Sequence, residues 1–336
     1  MSNDIAVSII IPVYNAGNYL RKCLDSLINQ TLRNIEIIAV LDCPTDGSDK
    51  IVDEYSLYDE RIVIVRNKSN LNIGRSRNEG LKIARGKYIG FCDHDDYCNK
   101  QMFELLYNKA ENEEIDLVCS PYVLVKNDVV VSQINYPEYP ADLFAKKIFN
   151  TCIGINHPED DMINFMLSGV IWNKLFKTNV IRENNIQFID NNVIMGEDLL
   201  FMIEYANNCS RAGRIDTPLY FHCVWSNNTN LTYSYHSVEK TVAHLEYIAT
   251  YLQLHSYADN DIKSRFYNSI KVQLLISLMY TYHCRGLRYT MLELQRVRQN
   301  PFIKEAFIKS RNIIFTHSTT KKRLIHRIIS FIVRCS

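Results

Sequence analysis

KYIGFCDHDDY, residues Lys87–Tyr97, is the stretch whose reading decides the fold. Tyr88 to Cys92 is an apolar run following Gly86 and predicts a short buried strand. The run ends in Asp93-His94-Asp95-Asp96, three carboxylates in four residues with no Lys or Arg among them. Extended backbone there puts Asp93 and Asp95 on one side and His94 on the other, where it predicts a packing residue. Crowded carboxylates repel one another, which raises a pKa or invites a cation. A hard divalent ion held through oxygen, with phosphate oxygens in its other positions, answers that repulsion. The alternative is that Asp95 or Asp96 caps a helix beginning near Asn99.

Upstream, Val7–Val13 is a β-branched run suited to a strand buried on both faces of a parallel sheet. Asn15 then predicts the cap of a helix over roughly 17–30, where Leu20, Cys23, Leu24, Leu27 and Ile28 recur at helical spacing. Ile35–Leu41 reads as a second strand, leaving through the loop Asp42–Gly47 to a helix capped by Ser48 or Asp49. Ile62–Val65 is a third strand, and a helix near Arg75–Ala84 leads into Gly86. Strands alternating with helices in this way predict an α/β domain with a mainly parallel sheet. Ligands of such sheets bind beyond the carboxyl ends of the strands, where Asn15, Asp42 and Asp93/Asp95 all fall.

Downstream the pattern is less regular. Leu117–Val125 and Val129–Gln133 read as strands in a hairpin around Lys126-Asn127-Asp128, and Ala141–Phe149 and Asp160–Leu167 as helices. Val170–Phe176 starts like a strand, and Gly196-Glu197-Asp198 opens a further helix. Leu219–Trp225 reads as a strand, Ser226–Asn230 as a polar loop, and Val238 to Ile308 as mainly helical.

A chain of 336 residues with 47% hydrophobic and 22% charged residues suffices for a full core and an added subdomain. Its net charge of +1 gives no general attraction to nucleic acid. Ten scattered cysteines, without a CxxC pair or zinc-ligand spacing, read as free thiols of a reducing compartment. Val7–Ile11 is too short for a signal sequence or a membrane span, so the expectation is a cytoplasmic protein. Residues 319–336, with Lys321-Lys322-Arg323 and an apolar helical side, predict either a helix in the membrane interface or one packed on protein.

Taken together, Ser8-Ile9-Ile10-Ile11-Pro12-Val13-Tyr14-Asn15, Glu36-Ile37-Ile38, Asn70-Leu71, Arg77-Asn78-Glu79-Gly80, Gly86-Lys87-Tyr88-Ile89 and Asp93-His94-Asp95-Asp96 stand in the order and spacing of a known family. The chain resembles the family 2 glycosyltransferases, bacterial GT-A enzymes that build cell-surface polysaccharides. Trp172-Asn173-Lys174-Leu175-Phe176 and Gly196-Glu197-Asp198 resemble further elements of it. The resemblance covers about residues 1–235 and implies a GT-A domain there. Its nucleotide-sugar half would be about 1–100 and its acceptor half 101–235, before a helical subdomain at 236–318 and the basic helix at 319–336.

The resemblance implies a UDP-sugar donor, a glycan or lipid-linked glycan acceptor, and Mn²⁺ or Mg²⁺ held through Asp-x-Asp. Asp42 would accept from the uracil ring, with Pro12, Tyr14 and Asn15 shaping the pocket. Arg77 would sit near the donor phosphates, or else pair with an acid on a solvated helix face. Asp93 would face the ribose or donor sugar and Asp95 would ligate the metal, with Asp93 and His222 as further candidate ligands. Asn173 and Lys174 would line the donor or acceptor side, and Trp172 would stack on a sugar or sit in the core. For inverting displacement the acceptor hydroxyl needs a base, assigned to Asp198 with Glu197 as fallback. Leu41-Asp42-Cys43-Pro44-Thr45-Asp46 departs from the family's Asp-Asp-Gly-Ser-Thr-Asp, and Asn72 stands where Gly is usual. Two rival readings are a sugar nucleotidyltransferase and a degenerate transferase serving as a scaffold; the absence of GxGxxG after the first strand argues against a dinucleotide dehydrogenase.

Overall fold

A computed structural model describes residues 4–136, 140–154, 169–224, 237–254 and 260–309. The helix expected at Asp160–Leu167, Trp225, the loop 226–230 and the basic stretch 319–336 lie outside these residues. The chain divides into two compact units: residues 1–149, 167–191 and 197–226, and residues 150–166, 192–196 and 227–336.

The first unit is built on strands β1 (Val7–Val13), β2 (Ile35–Leu41), β3 (Ile62–Arg66) and β4 (Tyr88–Phe91), every residue of β1, β2 and β4 being buried. All four run parallel, in the order β4-β1-β2-β3. Their connections are α1 (Tyr19–Ile28), α2 (Ser48–Tyr58) and α3 (Asn72–Ile83). A continuous β-branched strand buried on both faces needs exactly such flanking helices, and each βαβ connection brings the next strand back parallel. One acid lies within the sheet. Glu36 of β2 is satisfied by the Ser8 hydroxyl (2.5 Å), the Arg85 amide (2.7 Å) and the Arg85 guanidinium. Gly86 donates to the same Ser8 hydroxyl at 2.7 Å, and a Cβ on Gly86 would fall 2.4 Å from the Ser8 nitrogen.

After the short β5 (Tyr97–Cys98) come α4 (Met102–Asn112), β6 (Leu117–Cys119), β7 (Tyr122–Lys126), β8 (Val129–Ile134) and α5 (Ala141–Ile153). The remaining elements of this unit are β9 (Lys174–Lys177), α6 (Thr178–Glu183), α7 (Glu197–Asn208), β10 (Ala212–Arg214) and β11 (Tyr220–Cys223). The main sheet has seven strands, β10-β6-β9-β4-β1-β2-β3, with β9 antiparallel to both neighbours; β5-β11-β7-β8 form a second sheet. The single strand expected over Leu117–Val125 is two, because Pro121, which has no amide to donate, separates β6 from β7 and the chain changes sheets. The β7–β8 hairpin turns on Asn127 (φ 50°) and Asp128 (φ 60°), residue types that tolerate the left-handed region.

Three capping expectations are corrected. Helix α2 begins at Ser48 itself, with Gly47 and neither Ser48 nor Asp49 at its N-cap position. Helix α1 begins at Tyr19, not near 17, and its N-cap position is Asn18; Asn15 bonds elsewhere. Helix α4 begins at Met102, and neither Asp95 nor Asp96 caps it.

The second unit contains α8 (Val238–Leu254), α9 (Asn260–Gln299) and α10 (Pro301–Lys309), with Leu245, Ile248, Ile270, Leu274, Leu278, Ile303 and Phe307 buried. Helix α9 is interrupted at Gly286, whose φ of 77° no helix accommodates. Buried His244 of α8 donates from Nδ1 to the Met195 carbonyl at 2.8 Å, and burial depresses its pKa to about 4.

Candidate active site

The loops after β1 and β2 are zipped together. Asn15, left-handed at φ 47°, accepts the Thr45 amide at 2.8 Å on Oδ1. The Gly17 amide donates to Asp46 at 2.7 Å, and the Ala16 amide to the Ser48 hydroxyl at 3.0 Å. Burial works against ionising Asp46, but the Ser48 hydroxyl and amide and the Gly17 amide more than offset it and lower its pKa. Tyr14 is exposed and Pro12 buried at this ledge. Asp42 is buried, and its Oδ1 accepts Asn67 Nδ2 and the Leu71 amide, both at 2.7 Å, while Oδ2 accepts the Asn72 amide at 2.9 Å. Asp42 therefore fixes the entry to α3 and keeps one lone-pair direction on Oδ2 beyond these bonds. Asn72 sits at φ 65°, in the left-handed region that Asn tolerates better than most residues.

Arg77 is the hub, and its expected place at the donor phosphates is corrected. It is 1% exposed, with its guanidinium over the Phe188 ring (5.3 Å). One nitrogen, Nη2, donates to Asp93 at 2.9 Å; the other, Nη1, donates to Glu197 at 3.1 Å and to Asp198. Three carboxylates occupy its two terminal nitrogens, and burial rather than saturation closes the rest, the unpartnered Nε included, to a phosphate in solvent. It is equally no solvated surface pair. Burial opposes the charge on Arg77, but Asp198, Asp93 and Glu197 more than compensate and raise its pKa. Asp198 moves well upward because it is buried beside Glu197 and Asp93, with Arg77 as the opposing influence. Glu197 is buried and also accepts from Asn191, whereas the Asp198 side chain keeps 24% of its surface open. Of the two acids at the start of α7, Asp198 is the one a substrate can reach.

The acid loop divides its labour. Asp93 gives Oδ1 to Arg77 and keeps its second oxygen, with 22% of the side chain open. His94 turns its Nδ1 to the Pro12 carbonyl (3.0 Å), tying the loop to the end of β1. Asp96, 1% exposed, accepts the Tyr220 hydroxyl (2.9 Å), His222 Nδ1 (2.9 Å) and the Cys223 amide (2.7 Å). Tyr220 in turn accepts the Asp93 amide at 3.1 Å, so β11 grips the loop from both ends. Burial lifts Asp96 to about 6 against the pull of His222. His222 also stacks on Trp172 (5.1 Å, 13°), so its ring plane and its Nδ1 are both fixed and Nε2 is the nitrogen left for a ligand. Burial disfavours its protonation, but Asp96, Asp93 and Asp95 outweigh that and raise its pKa.

Asp95 bonds no other described residue. Burial raises its pKa, as does repulsion from Asp93, while His94 opposes the rise. Among the described residues no three His, Cys, Asp or Glu side chains assemble into a metal cage. Of the expected ligands, the Asp95 carboxylate and His222 Nε2 bond no other described residue, one hard oxygen and one imidazole, donor types that divalent ions accept.

Asn173 and Lys174 do not line an open site. Both are fully buried; Asn173 Nδ2 donates to the Ser120 carbonyl (2.7 Å) and the Tyr136 hydroxyl (3.1 Å), and Lys174 Nζ donates to Asn173 Oδ1 (3.0 Å) and the Val170 carbonyl. Trp172 is a core residue, stacked on Tyr220 at 4.4 Å and edge-on to Tyr122 at 4.7 Å. Sequence reasoning missed Asp96 and Tyr220. Asp96 was legible only as one more acid, and no sequence signal marks Tyr220 as the bridge.

The model of the family described as "Glycosyl transferase family 2" matches residues 8–166. The chain is 30% identical over 254 residues to the putative glycosyltransferase EpsH of Bacillus subtilis, an alignment covering 74% of this chain and 69% of EpsH. It is 31% identical over 219 residues to the uncharacterized glycosyltransferase EpsJ of the same organism, covering 64% of this chain and 60% of EpsJ. Among solved structures, residues 1–349 of S. aureus TarS superpose with a TM-score of 0.69 at 17% identity, over 98% of this chain and 89% of that one. TarS shares the parallel-rich α/β fold and helical C-terminal region, and has also been solved with UDP and with UDP-GlcNAc.

Proposed function

Because this chain belongs to the family 2 glycosyltransferases, we propose that it moves a sugar from a UDP-sugar to a hydroxyl of a glycan or lipid-linked glycan, with inversion, in cell-surface polysaccharide synthesis. The observation that carries this reading is the Arg77 fork, which joins Asp93 of the acid loop to Asp198 at the start of α7. Donor-side and acceptor-side acids are thereby held in one rigid cluster at the carboxyl ends of the parallel strands, where such sheets bind ligands.

Asp198 is the base. Its raised pKa makes its carboxylate a stronger proton acceptor than an ordinary aspartate, which suits abstraction from a hydroxyl. The acceptor oxygen attacks the anomeric carbon, its proton passes to an Asp198 oxygen, and the bond from that carbon to the diphosphate breaks to release UDP. Arg77 keeps the Asp198 carboxylate aimed while it changes charge. The ledge of Tyr14, Asn15 and the 42–46 loop receives the base, with Asp42 as the uracil acceptor through its remaining lone pair and Pro12 beneath. Asp93 faces the ribose or donor sugar with the oxygen that Arg77 leaves. Mn²⁺ or Mg²⁺, held by Asp95 and His222 and completed by phosphate oxygens and water, would neutralise charge on the departing diphosphate.

TarS, solved with UDP and UDP-GlcNAc, supports the choice of a uridine nucleotide. The protein works at the cytoplasmic face, and among the described residues no helix is long and apolar enough to cross a membrane. The experiment is UDP release from a panel of UDP-sugars, with Asp198→Asn alongside. Asp198→Asn should abolish transfer yet leave UDP binding intact; undiminished turnover would remove Asp198 from its role.

A further inference from the structure

Residues 192–196 group with the second unit, yet the chain runs from them straight into Glu197 and Asp198 of the first. Met195 is held within the second unit. His244 of α8 is buried and neutral, and its Nδ1 donates to the Met195 carbonyl at 2.8 Å. Nε2 of the same ring is buried and has no partner among the described residues. A buried nitrogen left unpaired is a cost that packing alone does not explain, since a phenylalanine would fill the space without it. What the imidazole adds is its bond to Met195. One turn earlier on α8, the hydroxyl of buried Thr241 lies 3.2 Å from Met195 Sδ and 2.5 Å from the Ser277 hydroxyl of α9. Met195 is thus gripped at both its carbonyl and its sulfur.

Asp198 follows Met195 by three positions, across Gly196, whose φ of 70° lies in the left-handed region that favours glycine. The turn made there directs the start of α7. In the first unit, Asn191 donates to Glu197 and accepts the Gly74 amide at 2.9 Å, which ties both flanks of the same segment to α3. We propose that His244 and Thr241 are positioning residues for sugar transfer: by fixing Met195 they set where α7 begins, and with it where the Asp198 carboxylate stands. Arg77 orients that carboxylate, and the Met195 anchor orients the backbone that carries it. This rests on the reading of Asp198 as the base and gives the helical unit a part in that step.

UDP release by the full chain, compared with Asp198→Asn, His244→Phe and His244→Asn, tests it. His244→Phe keeps a flat ring and loses the donor. It should lower kcat on the order of tenfold while KM for the UDP-sugar and the stoichiometry of UDP binding stay native, as for a misplaced catalytic group. His244→Asn puts an amide N–H near the place of Nδ1 and should recover most of that loss. Gly196→Ala, which forces a side chain into the left-handed region, should lower kcat in the same way. Combined with His244→Phe it should cost less than the product of the two single effects, because both act on one path. Native kcat in His244→Phe, a loss that His244→Asn does not recover, a loss that appears as fewer UDP sites, or single effects that simply multiply would each overturn the inference. Native turnover by Asp198→Asn, or no UDP release from any UDP-sugar, would count against the base or the transferase reading instead. Amide exchange over residues 197–203 then decides for His244: faster in His244→Phe and native in His244→Asn if it holds α7, unchanged in both if it does not.

Discussion

Replacing Arg77 with leucine should be the most damaging single change in the first unit. The substitution keeps an apolar stem against Phe188 but removes the cation that Asp93, Glu197 and Asp198 share. Three charge-assisted hydrogen bonds at about 1.5–3 kcal/mol each set a ceiling of about 5–9 kcal/mol. The orphaned acids can escape part of that by taking up protons, which brings the expected loss to about 3–5 kcal/mol, as for a buried pair robbed of one partner. At about 2–4 °C per kcal/mol for a unit of this size, the melting temperature should fall by about 10 °C. The deficit must depend on pH with a definite sign. Acids whose folded pKa is raised bind more protons folded than unfolded, so their contribution to stability is fully present below the ordinary carboxylate pKa and is lost as pH rises through the raised value. The variant should therefore lose more stability at pH 8 than at pH 5. Thermal melts followed by circular dichroism at both pH values decide. A fall of under about 2 °C, or the same fall at both, would refute the hub.

Asp96→Asn keeps the shape of the buried carboxylate but puts a donor where three protein donors now converge, so nucleotide affinity in the presence of Mn²⁺ should drop by on the order of tenfold; unchanged affinity would make Asp96 mere packing. Acid should loosen the second unit through His244. Its depressed pKa of about 4 makes its contribution complete above the ordinary 6.5 and lost as pH falls toward 4, a difference of about 3 kcal/mol. Amide exchange in α8 should accelerate over that range in the native chain and much less in His244→Phe; equal acceleration would exonerate the imidazole.

The parallel half of the fold was legible because its signal is local. Val7–Val13 and Ile35–Leu41 are rich in β-branched residues, and helical periodicity fills the intervals between strands, so a mainly parallel α/β sheet followed. The site was legible only as far as the loops that end those strands. That Asp93, Asp95 and Asp96 are neighbours in sequence does not say which of them is spent internally. The answer depends on α3, α7 and β11, more than a hundred residues away for the last two: Arg77 takes Asp93, β11 takes Asp96, and Asp95 is left uncommitted. Asn173 and Lys174 misled for the same reason. A polar pair after a tryptophan reads as a binding edge, yet here it satisfies the backbone at Ser120 and Val170 in the interior.

Calorimetric titration of UDP into the native chain and into Asp95→Asn, each with and without Mn²⁺, bears most directly on the claim that the acid loop reserves one carboxylate for a metal–diphosphate. Mn²⁺ should tighten UDP binding to the native chain by about tenfold or more, close to 1.4 kcal/mol, and should do nothing for Asp95→Asn. Native affinity indifferent to Mn²⁺, or a variant that responds as fully as the native chain, would contradict the account.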